Sequence, residues 1–291
     1  MIVYPKVILE GAKTGVLLWF EAILPSLLPY MIISNIIILA GLSEDMAFIM
    51  KPVTKLLRIA PSAAYCILAG VFFGYPACAV ASVGMYKENR LDRETACFVS
   101  CAFNNISPAF IAGYVCIGIL NNSKKIFSVL SLFYIILLLS TIIIRITIFR
   151  NLTDNTPTIS VSGLTKKSVL DTAIMSSLTN IARLAGYIVI FSVIATVISL
   201  IPWHYTGIIC SLFEITTGIN ILCQSFSDTK LLLLIIIPML SFGGISGIFQ
   251  TFGVDTEGII DRKKYIYSRI ISMIVSLACT YMAVYVLNIS I

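Results

Sequence analysis

Eight apolar runs, at 15–42, 61–84, 96–120, 126–149, 172–201, 205–226, 230–253 and 265–289, are each long enough to cross the roughly 30 Å hydrocarbon core of a bilayer. Lipid offers no water to an unpaired peptide group, so such runs fold as helices that satisfy their own backbone. An interruption must then face protein or a wet cavity. The chain therefore reads as an all-α polytopic membrane protein. Composition agrees, with 58% hydrophobic and 12% charged residues among 291 and a mean hydropathy of +0.99. The first run is longer than a signal-peptide core and no small-residue cleavage pattern follows it, so it is expected to remain as a helix.

The remaining composition excludes several classes. A formal charge of +6 spread over short loops suits anionic headgroups and the positive-inside rule, and nothing resembles a nucleic-acid surface. The eight cysteines lie almost entirely in apolar runs without a C-x-x-C pair, which makes them small core hydrophobes. His204, the single histidine, stands beside Trp203 at the end of an apolar run and reads as an interfacial anchor. With no histidine cluster, G-x-S-x-G, H-E-x-x-H or P-loop pattern, the expectation is a non-enzyme without metal or cofactor.

The organisation is bipartite. A polar stretch at 150–168, "RNLTDNTPTISVSGLTKKS", divides a first half, 1–149, from a second, 169–291. Within the first half, "IMKPVTKLLRIA" places Lys51, Lys55 and Arg58 on one helical face and Ile49, Val53, Leu56 and Ala60 on the other, the pattern of a helix lying in the interface. Phe73-Gly74 followed by "LDRE" recurs as Phe242-Gly243 followed by "IDRK", both at an offset of 169 residues, which implies an internal repeat. If runs two and seven, "GVFFGYPACA" and "SFGGISGIFQ", are re-entrant hairpins, each half makes three crossings and the repeats are inverted. Lys and Arg then crowd one side when run six, 205–226, spans, and the bias weakens when it lies in the interface.

Four places carry chemistry. Gly74 and Tyr75, with Gly243 and Gly244, let the chain reverse at membrane depth and expose half-helix ends, whose positive N-termini suit an anion; the alternative is that these glycines only allow close helix packing. "SCAFNNISPAFIAG" sets Asn104, Asn105 and Ser107 before Pro108, which frees the Asn104 carbonyl and unwinds the helix into a polar site, or else into interhelical glue. Arg183, Glu21 and Glu214 are charges inside apolar runs and are functional candidates by default. Glu21 and Arg183 fall at comparable depth and are open to pairing with each other instead of with a ligand.

On "FFGYPACA", "LDRETACFVSCAFNNISPAFIAGYV", "NIARLAGYIVIFSV", "FEITTGIN" and "LSFGGISGIFQ", from about residue 10 to 285, the chain resembles the sporulation integral membrane proteins of the YlbJ (SpoVV) family, which carry paired nucleoside-recognition Gate domains. Cys78 stands where that pattern leads one to expect glycine. The resemblance implies an inverted-repeat bundle similar to concentrative nucleoside transporters, in the outer forespore membrane, moving dipicolinic acid. On that reading Arg183 meets the dianion, helped by the amides near Gly74 and Gly243, by Asn104, Asn105 and Ser107, and by Gln250, while Glu214 binds a coupling cation or proton. The expected partners are an anionic small molecule, a coupling ion or proton and the lipid bilayer. A nucleoside carrier and a non-transporting scaffold or receptor remain the alternatives.

Overall fold

The computed structural model describes residues 4–40, 42–43, 48–120, 123–152 and 166–287, and among them every regular element is helical. Helix α1 (Pro5–Leu17) runs through a wider π-helical turn, Leu18–Ile23, into α2 (Leu24–Leu39). The short α3 (Lys51–Leu57) is followed by α4 (Ala64–Phe73), α5 (Ala77–Lys87) and α6 (Arg93–Phe103). Next come α7 (Pro108–Phe110, prolonged by the π-helical Ile111–Ile119) and α8 (Ile126–Thr147). The second half holds α9 (Lys166–Ile198), α10 (Thr206–Phe213), α11 (Ile215–Ser225), α12 (Thr229–Phe242), α13 (Gly244–Val254) and α14 (Arg262–Tyr281, prolonged by Met282–Val286). Among the described residues five segments are long and apolar enough to cross a membrane: Arg93–Ile119, Ser123–Thr147, Val169–Ile198, Thr229–Val254 and Arg262–Val286. The protein is thus an all-helical polytopic membrane protein.

Two runs double back on themselves. After α4 the chain turns at Gly74 (φ 77, ψ −161) and α5 returns against α4, so that a Cβ on Gly70 would lie 3.0 Å from the Cβ of Cys78. In run six, α10 and α11 are antiparallel about Glu214, with Gly207 facing Leu222 and Gly218 facing Ser211. A Cβ on Gly218 would stand 2.1 Å from the Ser211 nitrogen, so only glycine permits this approach.

Run seven corrects an expectation. Instead of turning back at Gly243 and Gly244, α12 and α13 meet end to end there and do not pack along each other. A reversal needs two facing helices that can come close, and Gly207 with Gly218 supplies that pair in run six. Gly243 (φ 89) and Gly244 (φ 67) are adjacent, and they only redirect the helix axis. Run six therefore does not cross as one helix.

The 169-residue register does not relate the two halves by inversion. Its "DR" motifs are both helix N-caps: Asp92 Oδ1 accepts from the amides of Glu94 and Thr95 at 2.9 Å, and Asp261 Oδ1 from those of Lys263 and Lys264 at 2.9 and 3.0 Å. The two capped ends lie side by side, with Arg93 donating to the Gly258 carbonyl at 2.8 Å and Lys264 3.8 Å from Glu94. An axis in the membrane plane would put equivalent ends on opposite faces. The order of elements does recur in another register: a long helix, a reversed pair, a broken helix and a straight helix appear as α1–α2, α4–α5, α6–α7, α8 and again as α9, α10–α11, α12–α13, α14.

The halves interlock. Helix α1 runs along α9, where Gly11 and Gly15 lie against the backbone of Val193 and Val189. Trp19 Nε1 donates to the Ile181 carbonyl at 3.0 Å. One end of the bundle gathers the basic residues: Lys87 pairs with Glu257 at 3.3 Å, and Arg145 caps carbonyls of Leu57 and Leu152 at 2.9 and 2.8 Å. Lys6, Lys124, Lys125 and Lys230 belong to helix termini at the other end. The stretch 153–165, within the expected linker, lies outside the described residues.

Candidate functional site

The reversals and breaks converge on one pocket of about 300 Å³. Its polar lining is Tyr75, Ser107, Glu214, Thr216 and Gln250, set among Phe73, Phe110, Leu27 and Ile188. Four of the five arrive from a chain interruption or its neighbour: Tyr75 from the α4–α5 turn, Ser107 from the break between α6 and α7, and Glu214, followed by Thr216, from the α10–α11 turn. Gln250, on α13, donates to Ser246 Oγ at 3.0 Å.

The break at 104–107 is satisfied in detail. Pro108 has no N–H to give the Asn104 carbonyl, and the Asn105 amide turns aside to Phe103 O at 3.0 Å, which orphans Cys101 O as well. Arg269 on α14 fills both gaps. Its Nη1 donates to Asn104 O at 3.1 Å and to Asn105 Oδ1 at 2.8 Å, and its Nη2 donates to Cys101 O. Asn105 Nδ2 takes Ala102 O at 3.0 Å, and Asn105 O accepts from the Tyr75 amide, which fastens the break to the α4–α5 turn. Asn104 spends its own amide internally, donating to Thr251 Oγ1 at 2.8 Å and Tyr265 OH at 3.1 Å while accepting from Ala79 N at 3.4 Å.

Glu214 is only 6% exposed and caps α11, accepting from Thr216 N at 3.1 Å and Thr217 N at 2.7 Å. Its carboxylate thus offsets one helix N-terminus at the pocket wall. Gly74 fits nothing larger, since a Cβ there would lie 2.5 Å from Ser107 N.

The expected site residues separate into groups. Tyr75, Ser107, Glu214 and Gln250 line the pocket. Gly74, Asn104 and Asn105 support its wall, and Gly243 and Gly244 stand behind it, Gly243 about 4.0 Å from the Tyr75 ring when given a Cβ. Arg183 is elsewhere: it is exposed, donates to the Gly253 carbonyl at 3.2 Å, and lines an open cavity of about 680 Å³ shared with Lys87, Glu88, Asp171 and Thr256. That cavity is reached from the basic end of the bundle. No salt bridge joins Arg183 to Glu21 among the described residues; both are exposed. The sequence reading passed over Thr216, Phe110 and, above all, Arg269, which is 1% exposed. Its position inside the last apolar run was the available signal. Among the described residues no three His, Cys, Asp or Glu side chains group as metal ligands.

A helical bundle with five apolar spans among the described residues, and a largely apolar pocket that carries a few polar groups where helices break, defines an integral membrane protein. Among known proteins, the sporulation integral membrane protein YlbJ of Bacillus subtilis (strain 168) is similar to this chain, 24% identical over an alignment 316 positions long that covers 93% of this chain and 76% of that one. The likeness suggests the YlbJ family. No family model matches the chain, and no solved structure does.

Proposed function

We propose that this chain is a carrier that binds a small aromatic dicarboxylate, dipicolinic acid, in the central pocket and moves it across the outer forespore membrane during sporulation. The observation that carries the transport reading is the meeting of two reversed helix pairs and a broken helix at one pocket, with Ser107 near the middle of the Arg93–Ile119 span. Unwound backbone at such depth is costly unless it serves a cavity. On this reading the chain holds two Gate-like units, 1–149 and 169–291, related by inversion, with the α4–α5 and α10–α11 pairs re-entering from opposite faces; the repeated order of elements supports it. The basic end is then cytoplasmic by the positive-inside rule.

The anion is favoured by helix N-termini at Pro76 and Ser107 beside the pocket, and the sporulation context by the likeness to YlbJ. A second reading is favoured by Glu214 and Gln250 in the lining and by a pocket wall without a cationic side chain among the described residues: a hydroxylated neutral solute such as a nucleoside. Uptake of labelled dipicolinate and of uridine into liposomes containing the purified protein tests both. Dipicolinate uptake supports the first, uridine uptake the second, and uptake of neither overturns the carrier reading.

A further inference from the structure

The guanidinium of Arg269 is buried, has no carboxylate within salt-bridge distance among the described residues, and keeps its Nε without a partner. A charge in such surroundings is costly, so what it does there must matter to the fold of the site. Its contacts say what that is. The two carbonyls it takes, of Cys101 and Asn104, are those that an unbroken helix would give to the amides of residues 105 and 108. Its third contact orients Asn105, whose carbonyl in turn holds the Tyr75 amide. The ring of Tyr265 lies under the guanidinium, 5.3 Å from Cζ to centroid, and limits its movement.

We propose that Arg269 is the positioning residue of the pocket: a side chain on α14 that substitutes for the two missing helical donors, keeps α6 and α7 apart, and so places Ser107 and Tyr75 at the pocket wall. A planar fork reaching three acceptors does this, and an ammonium does not reproduce the geometry. The functional consequence rests on the carrier reading, but the structural one does not.

Three variants test it: Arg269→Met, Arg269→Lys, and Arg269→Met combined with Pro108→Ala. The last restores an N–H at 108 and lets the helix close. Amide hydrogen exchange of purified protein in lipid nanodiscs should rise at least tenfold in the peptide 101–110 for Arg269→Met, and less for Arg269→Lys. In the double variant it should return to within about twofold of the parent, while dipicolinate or uridine uptake stays lost because Ser107 and Tyr75 have moved. If Arg269→Met does not fold, the double variant should fold. Exchange at 101–110 that is unchanged in folded Arg269→Met, a double variant that recovers neither folding nor protection, or one that recovers uptake, overturns the proposal. Absence of uptake by the parent protein would count against the carrier reading alone, since the exchange results are read without a solute.

Discussion

Replacing Gly74 by alanine asks whether the α4–α5 turn is held by backbone conformation and close approach. With φ 77 and ψ −161 the residue occupies a region essentially reserved for glycine, which for alanine costs on the order of 1–3 kcal/mol. The added Cβ would also stand 2.5 Å from Ser107 N and 2.9 Å from both Asn105 O and Ser107 Cα. Ordinary contacts begin near 3.5 Å, so the break must retreat by roughly 1 Å. That movement ruptures the bond from the Tyr75 amide to Asn105 O and leaves two buried groups unpaired, about 1–3 kcal/mol more. The sum is roughly 2–6 kcal/mol, which at about 2–4 °C per kcal/mol lowers the melting midpoint by at least about 4 °C. Thermal unfolding of the detergent-solubilised protein, followed by size-exclusion chromatography, reads it. Gly113→Ala is the control, because a Cβ there meets nothing within 4 Å, and it should change the midpoint by less than about 2 °C. If Gly74→Ala melts within that same margin, the turn is not constrained as described.

Gly218→Ala should be as damaging without any strained φ, because its Cβ lies 2.1 Å from Ser211 N; a melting midpoint equal to the parent's would mean that α10 and α11 part freely. Glu214→Ala removes the α11 cap, lowering stability by about 1 kcal/mol in the same melt, and should reduce solute uptake at least tenfold; unaltered uptake would take Glu214 out of the site. Arg183→Gln should leave solute affinity within about twofold, measured by isothermal titration, since Arg183 lines the open cavity and not the pocket; loss of binding would return it to the site. An impermeant maleimide applied to intact cells should label Lys125→Cys and spare Lys263→Cys, and the opposite pattern would reverse the proposed orientation.

The membrane class, the helical content and the breaks at Gly74, at Pro108 and at Gly243–Gly244 were legible in the sequence, because each is set locally. Twenty apolar residues in lipid have few alternatives to a helix, Pro108 removes a donor wherever it stands, and Asp92, Glu214 and Asp261 cap whatever helix follows them. Tyr75 and Ser107 were singled out for the same reason, as polar groups at interruptions, and Glu214 as a charge inside an apolar run; all three line the pocket.

What a break becomes is decided by partners distant in sequence. Gly243 and Gly244 look like a turn, yet the chain goes on past them, while the unremarked Gly207 and Gly218 let run six fold back because each meets a backbone or side chain of the opposite helix. Two "DR" motifs at one offset suggested a repeat register, but N-capping chemistry recurs at any helix start, and only packing shows those two starts to be neighbours. The same holds for the two arginines at membrane depth. Sequence assigns them equal cost; tertiary structure leaves Arg183 in an open cavity and buries Arg269 against the carbonyls that Pro108 and Asn105 abandon, 165 residues away from Asn104 along the chain. Burial and hydrogen-bond partners are properties of the packed bundle, and no local pattern encodes which of two equal charges will receive them.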